Sequence, residues 1–258
     1  MRLMKRILSA AAVLALSASL LVGCSSGTAS SVPVSASSAA ERTVSSVEET
    51  ASSAVDENEA AAAQLLNDLT GSYQELWPVI LADEYKQTWL DDCTALVGED
   101  NAEAAFEKLS SMVTGDVYGE DAVKAYANGG GAYFCGFTNS LAILTFDGET
   151  STISGTDKDG NVLFSHTYHY IGMEPVRGLY EFESDDADSG EFTYFFLAPD
   201  TSAETYHIEF RYGSDAEALS QYAAGEYAYW LASGISTDCD QTMINNCIEL
   251  FCTENLAG

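Results

Sequence analysis

"TYHIEFRYGSD", Thr205 to Asp215, alternates in polarity: Tyr206, Ile208, Phe210 and Tyr212 fall on one face, and Thr205, His207, Glu209 and Arg211 on the other. A period of two is the signature of a half-buried β-strand. Gly213, Ser214 and Asp215 then end the strand with turn residues. The same texture recurs upstream. "GGGAYFCGF", "SLAILTF", "STISGT", "NVLFSHTYHYIG", "GLYEFES" and "EFTYFFLA" are rich in β-branched and aromatic residues. Asp147-Gly148, Asp159-Gly160-Asn161 and "SDDADSG" punctuate them. About seven consecutive short strands at hairpin spacing, from Gly131 to Tyr212, imply an antiparallel barrel or sandwich.

On either side the period changes to that of a helix. Ala60 to Leu69 is Ala-rich. "TGSYQELWPVILADEYKQTWLDD" places Tyr73, Leu76, Trp77, Ile80, Leu81 and Trp89 at near-helical spacing, with Pro78 able to start or break a helix. "NAEAAFEKLSSMV" and "GEDAVKAYA" read as two further helices, and "DAEALSQYAAGEYAYWLASG" as another. In "STDCDQTMINNCIELFCTENL", Thr237 and Asp240 form a plausible N-terminal cap pair. Met243, Ile244, Cys247, Ile248 and Phe251 make one face of that last helix. The fold class is therefore α+β, mainly antiparallel β, with flanking N- and C-terminal helices.

The N-terminus has the layout of an export signal. Arg2, Lys5 and Arg6 precede an apolar run from Ile7 to Val22. Leu21-Val22-Gly23-Cys24 is similar to the bacterial lipobox, in which the cysteine is lipidated. Residues 1–23 are expected to be a lipoprotein signal peptide. Residues 24–59, rich in Ser and Ala and without an aromatic residue, form a disordered tether from lipidated Cys24. Residues 60–258 are one domain. The expected location is the extracytoplasmic face of the cell membrane, held by the lipid alone.

A net charge of −30 argues against nucleic acid as a partner, since that needs basic patches. Beyond Cys24 the chain has Cys93, Cys135, Cys239, Cys247 and Cys252, an odd set with no C-x-x-C. Cys239 and Cys247 sit roughly 12 Å apart along one continuous helix, too far for a mutual bridge. They read first as buried apolar thiols, and second as partners for Cys93 or Cys135.

Other motifs resolve into ordinary structure. Asp157-Lys158-Asp159-Gly160 starts like a calcium loop but lacks its later ligands, so a hairpin turn is the better reading. The acidic "SDDADSGE" reads as a solvated loop. His166 and His169, three apart on a strand, point to opposite faces and cannot share a metal without a bulge. Gly129-Gly130-Gly131 is not followed by a helix and so is no phosphate loop. The chain contains no G-x-S-x-G and no H-E-x-x-H, and no enzymatic activity is expected.

Four segments, in order, resemble the ZinT (YodA-like) family. "LTGSYQELWPVIL" is similar to the family's W-x-G-x-W-Q-S-V-Y-P-Y-L, and "VRGLYEFES" to its G-V-R-Y-L-F-E strand. "LAPDTSAETYHIEFRYGSDAEAL" is similar to its I-A-P…H-F-H-I segment, and "YAYWLASGIST" to its Y-P-Y-x-L-S. The resemblance implies a lipocalin-like (calycin) barrel of seven or more strands that binds zinc, in the family mainly through three histidines. Here His207 matches the second histidine of H-x-H, whereas Thr205 takes the first position and an aromatic, about Phe195, the upstream one. Glu204, Glu209 or His169 would have to supply replacement ligands.

The expected function is thus a surface-anchored lipoprotein that binds zinc or another divalent metal at His207, for storage or delivery to an importer. The alternative is a metal-free lipocalin-like module for a small apolar ligand or a protein partner.

Overall fold

The computed structural model describes residues 57–199 and 202–257. The leader, Cys24 and most of the tether lie outside them, while residues 57–59, expected in the tether, already belong to a helix, α1 (57–68).

Eight antiparallel strands close into a barrel in sequence order. They are β1 (Gly71–Glu75), β2 (Ile143–Asp147), β3 (Thr152–Thr156), β4 (Val162–Met173), β5 (Tyr180–Ser184), β6 (Tyr194–Leu197), β7 (Ile208–Gly213) and β8 (Ala232–Ser236). Each strand pairs with the next, and β1 pairs with β8 through Tyr73↔Ser236. This is the up-and-down closure of lipocalins, which leaves no free sheet edge. The sequence patterning had implied a barrel or a sandwich; the β1–β8 ladder selects the barrel.

The turn chemistry explains the hairpins. The Asp147 carboxylate accepts from the amides of Glu149 and Thr150. Asp157 accepts from the amides of Asp159 and Asn161 and from the Asn161 side chain. Those hydrogen bonds, Asn161's first, hold the Asp157 carboxyl below its usual range. Gly160 supplies the left-handed backbone of that turn at φ 81°. The carboxylate that opens the calcium-like motif is thus occupied by its own turn.

Aromatic side chains fill the lumen. Phe146, Phe182, Phe195, Phe210 and Tyr212 are almost completely buried in one core. A second core lies between the barrel wall and the helices α2 (Leu76–Ile80), α3 (Lys86–Val97), α4 (Glu99–Ser111) and α8 (Gln241–Leu256). Trp89, fully buried there, donates its indole N–H to the Ile80 carbonyl at 2.8 Å. The remaining helices are short: α5 (Glu120–Ala127), α6 (Ser202–Thr205) and α7 (Ala216–Leu219). Among the described residues no helix is long and apolar enough to cross a membrane.

Four expectations need correction. The helical spacing from Tyr73 to Ile80 combines a strand residue facing the lumen with a short helix. Tyr73 belongs to β1, and Leu76, Trp77 and Ile80 to α2, where Pro78 occupies the first turn and no intrahelical donor is needed. The helix expected after Asp215 stops at Leu219, and β8 occupies Ala232–Ser236. "GGGAYFCGF" is not a strand; Phe134 forms only isolated bridges to Thr114 and Trp230. At α8 the cap is Asp240 alone, accepting from Met243 N at 2.8 Å, while Thr237 donates to the Ser72 carbonyl.

Candidate functional site

His207 lies just before β7 and is 8% exposed. The residue before it, Tyr206, has φ 65°, a left-handed conformation that interrupts the strand's alternation. Tyr206 therefore packs with the helical core, whereas Ile208, Phe210 and Tyr212 face the lumen. This corrects the shared face read from the sequence. His207 sits on the outer side of the barrel wall, yet α8 covers it: its ring centre is 5.8 Å from that of Phe251. Cys247 Sγ lies 3.9 Å from His207 Nδ1.

A local loop fixes the imidazole. His207 Nδ1–H donates to the Thr205 carbonyl at 2.8 Å, and Thr205 Oγ1 donates to the His207 carbonyl at 2.9 Å. A carbonyl can only accept, so Nδ1 carries the proton and, in the neutral ring, Nε2 carries the lone pair. Metal-binding histidines are usually oriented this way. The same bond equally satisfies a buried structural histidine.

The donors around it do not assemble a metal centre. Among the described residues no three His, Cys, Asp or Glu side chains are grouped so as to hold an ion. Glu204 is exposed and Glu209 half-buried. Burial, then the charges of Glu254 and Cys239, pushes the Cys247 thiol up to about 12, so it is a neutral thiol near neutral pH. Phe195 points into the lumen, paired in register with Tyr212, and so lies on the other side of the wall from His207. Thr205 is the residue that buttresses His207 rather than a second ligand.

The other two histidines are engaged elsewhere. His166 Nδ1 is 2.8 Å from Asp186 Oδ2, and His169 Nδ1 is 2.7 Å from Asp185 Oδ1. These pairs dock the acidic β5–β6 loop onto β4.

Sequence reading missed a buried ionic cluster on the outer face of β7. Arg211, fully buried, donates to the backbone carbonyls of Leu219 and Tyr227 and lies over the Tyr222 ring. Arg177 approaches the same ring at 4.5 Å. Glu174, 1% exposed, accepts from the amides of Val176 and Arg177. Burial, then Glu174, raises the Tyr222 phenol to about 12, partly opposed by the two arginines. The cluster pins the segment between α7 and β8 to the barrel. Its only sequence signal was an arginine in a strand of a chain with few basic residues.

No protein-family model matches the chain, and no curated protein matches it. Solved structures of similar fold include two zinc-bound ones. One is the zinc-bound ZinT-like domain of Streptococcus pneumoniae AdcA, 16% identical, with a TM-score of 0.45, covering 71% of this chain and 89% of that domain. The other is zinc-bound AdcA from the same organism, 18% identical, with a TM-score of 0.41, covering 70% of this chain and 34% of that one. The chain thus spans about a third of that longer protein.

Proposed function

We propose that this chain is a lipid-anchored, extracytoplasmic binding module, not an enzyme, that takes up a divalent metal as cargo through His207, for storage or hand-over to an importer. The single observation that carries the reading is the Nδ1 bond of His207 to the Thr205 carbonyl, which sets Nε2 as the ligating nitrogen. The order of ZinT-like segments along the chain supports it. With one imidazole in place of three, binding is weak and poorly selective among divalent ions, because stable zinc sites use three or four N, S or O ligands.

Titration of the metal-stripped protein with zinc in about 0.15 M salt, where exposed charges are screened beyond ~8 Å, tests this. One saturable site is expected, lost in His207→Ala and competed by calcium or manganese. A His207→Ala protein that binds like the parent overturns it. The anchor is tested separately: mass spectrometry of the mature protein should find an acylated Cys24 at its N-terminus, and an unmodified terminus elsewhere refutes the anchor.

A second reading has its own support. The filled lumen and the lack of a three-donor group among the described residues favour a metal-free module. With buried aromatics packed through the lumen, it would engage a protein partner through its outer surface rather than a small apolar ligand.

A further inference from the structure

We propose that Cys93 and Cys252 are oxidised to a disulfide that ties α3 to α8. Both thiols are fully buried in the helical core, and their sulfurs lie 3.8 Å apart. A disulfide spans about 2.05 Å, so the sulfurs need to close by roughly 1.8 Å. Closing that gap requires side-chain rotation at one or both cysteines, which lie on helices packed in one core. The structure thereby selects one partner for Cys93 from the four other described cysteines. It leaves Cys247 beside His207, and Cys239 ahead of α8.

The two positions are 159 residues apart, and seven of the eight barrel strands lie between them. A bridge there closes a loop that contains most of the barrel, and long loops gain most from closure. It would clamp the C-terminal helix to the N-terminal helical layer across the outside of the wall.

The chemistry is thiol–disulfide exchange with a small-molecule or protein disulfide as oxidant. The thiolate of one cysteine attacks that disulfide, forms a mixed disulfide and expels one thiol. The second cysteine, deprotonated, then attacks the mixed disulfide and expels the other. Two thiols are oxidised by two electrons, one disulfide is reduced to two thiols, and the two protons pass to the leaving thiolates. Burial disfavours both thiolates in the folded chain, so the bridge forms during folding, while the sulfurs are still reachable.

The test is refolding of the full chain from denaturant in a buffer of oxidised and reduced glutathione, followed by alkylation and peptide mapping. The expected product is a single linked pair of peptides carrying Cys93 and Cys252, with about 2 Da lost. Its melting temperature should exceed that of the dithiothreitol-reduced protein by about 5–15 °C. Cys93→Ser and Cys252→Ser should each abolish the link. Should either fail to fold, the triple variant Cys135→Ser, Cys239→Ser, Cys247→Ser must still form it. Recovery of both thiols in alkylated form, or a link to a different cysteine, overturns the proposal.

Discussion

The Arg211 guanidinium carbon lies 4.4 Å from the centre of the Tyr222 ring, among backbone carbonyls and, among the described residues, with no carboxylate in salt-bridge contact. The cation is compensated by dipoles and a π face, while burial lowers its pKa. Replacing it by Met keeps much of the volume but strands the carbonyls of Leu219 and Tyr227. Arg211→Met should cost about 3–5 kcal/mol in urea denaturation. Arg211→Lys should recover only part, because an ammonium cannot reproduce the planar fork. A Met variant as stable as the parent would show that the cluster does not pin the segment.

Phe195 lies in the lumen stacked against Tyr212, with ring centres 5.4 Å apart. Phe195→Ala should cost about 3–5 kcal/mol and leave a dry apolar cavity. Benzene, which should not bind the parent, should then raise the melting temperature of the variant. If benzene stabilises the parent equally, the lumen is open and a small apolar ligand is back in contention.

The legible parts of this fold are those in which one face differs from the other. β2, β4, β5 and β7 carry lumenal aromatics on one side and more polar residues on the other, β3 alternates Ile153 with Thr and Ser, and the hairpin turns after β2 and β3 carry Asp and Gly. β1 escaped because Tyr73, its one buried residue, falls at helical spacing with Leu76, Trp77 and Ile80 of α2, and β8 escaped because it is buried on both sides. Ala232 to Ile235 lies between the lumen and the helical core, so no alternation survives. That His207 faces away from Ile208, Phe210 and Tyr212 was legible in the alternation, although the strand itself begins at Ile208. The histidine's burial was not, because that depends on Cys247 and Phe251, which reach it from α8, a helix read as a separate element. The Arg211 cluster was hidden for the same reason: its partners are main-chain carbonyls, which no side-chain pattern records.

Asp92 on α3 has its carboxyl pushed up, by burial first and then by the charges of Glu249 and Asp91. Its Oδ2 is buried without a hydrogen-bond partner. A raised folded-state pKa means the native state holds the proton more tightly than the unfolded chain. Stability contributed by this residue therefore falls as pH rises through the carboxylate range. Asp92→Asn should be more stable than the parent at pH 7, by about 1–3 °C in melting temperature, and the difference should vanish near pH 3. A gap that widens on acidification would reverse the assignment.

The last prediction concerns the two positions where the ZinT-like pattern would carry histidine. If the resemblance alone decided the geometry, Phe195→His with Thr205→His would complete a three-histidine site around His207. The structure forbids it. Phe195 points into the lumen, His207 lies outside the wall beneath α8, and Thr205 spends its carbonyl and hydroxyl on His207. A histidine at 195 would bury a polar ring among aromatics without a partner, at a cost of about 1–3 kcal/mol. The double variant should therefore be less stable than the parent and bind zinc less than about tenfold more tightly, with no new tetrahedral nitrogen coordination by X-ray absorption. Binding tightened a hundredfold or more, with three nitrogen ligands, would mean that the start of β7 is rotated from its described register and that the lumen houses the metal site.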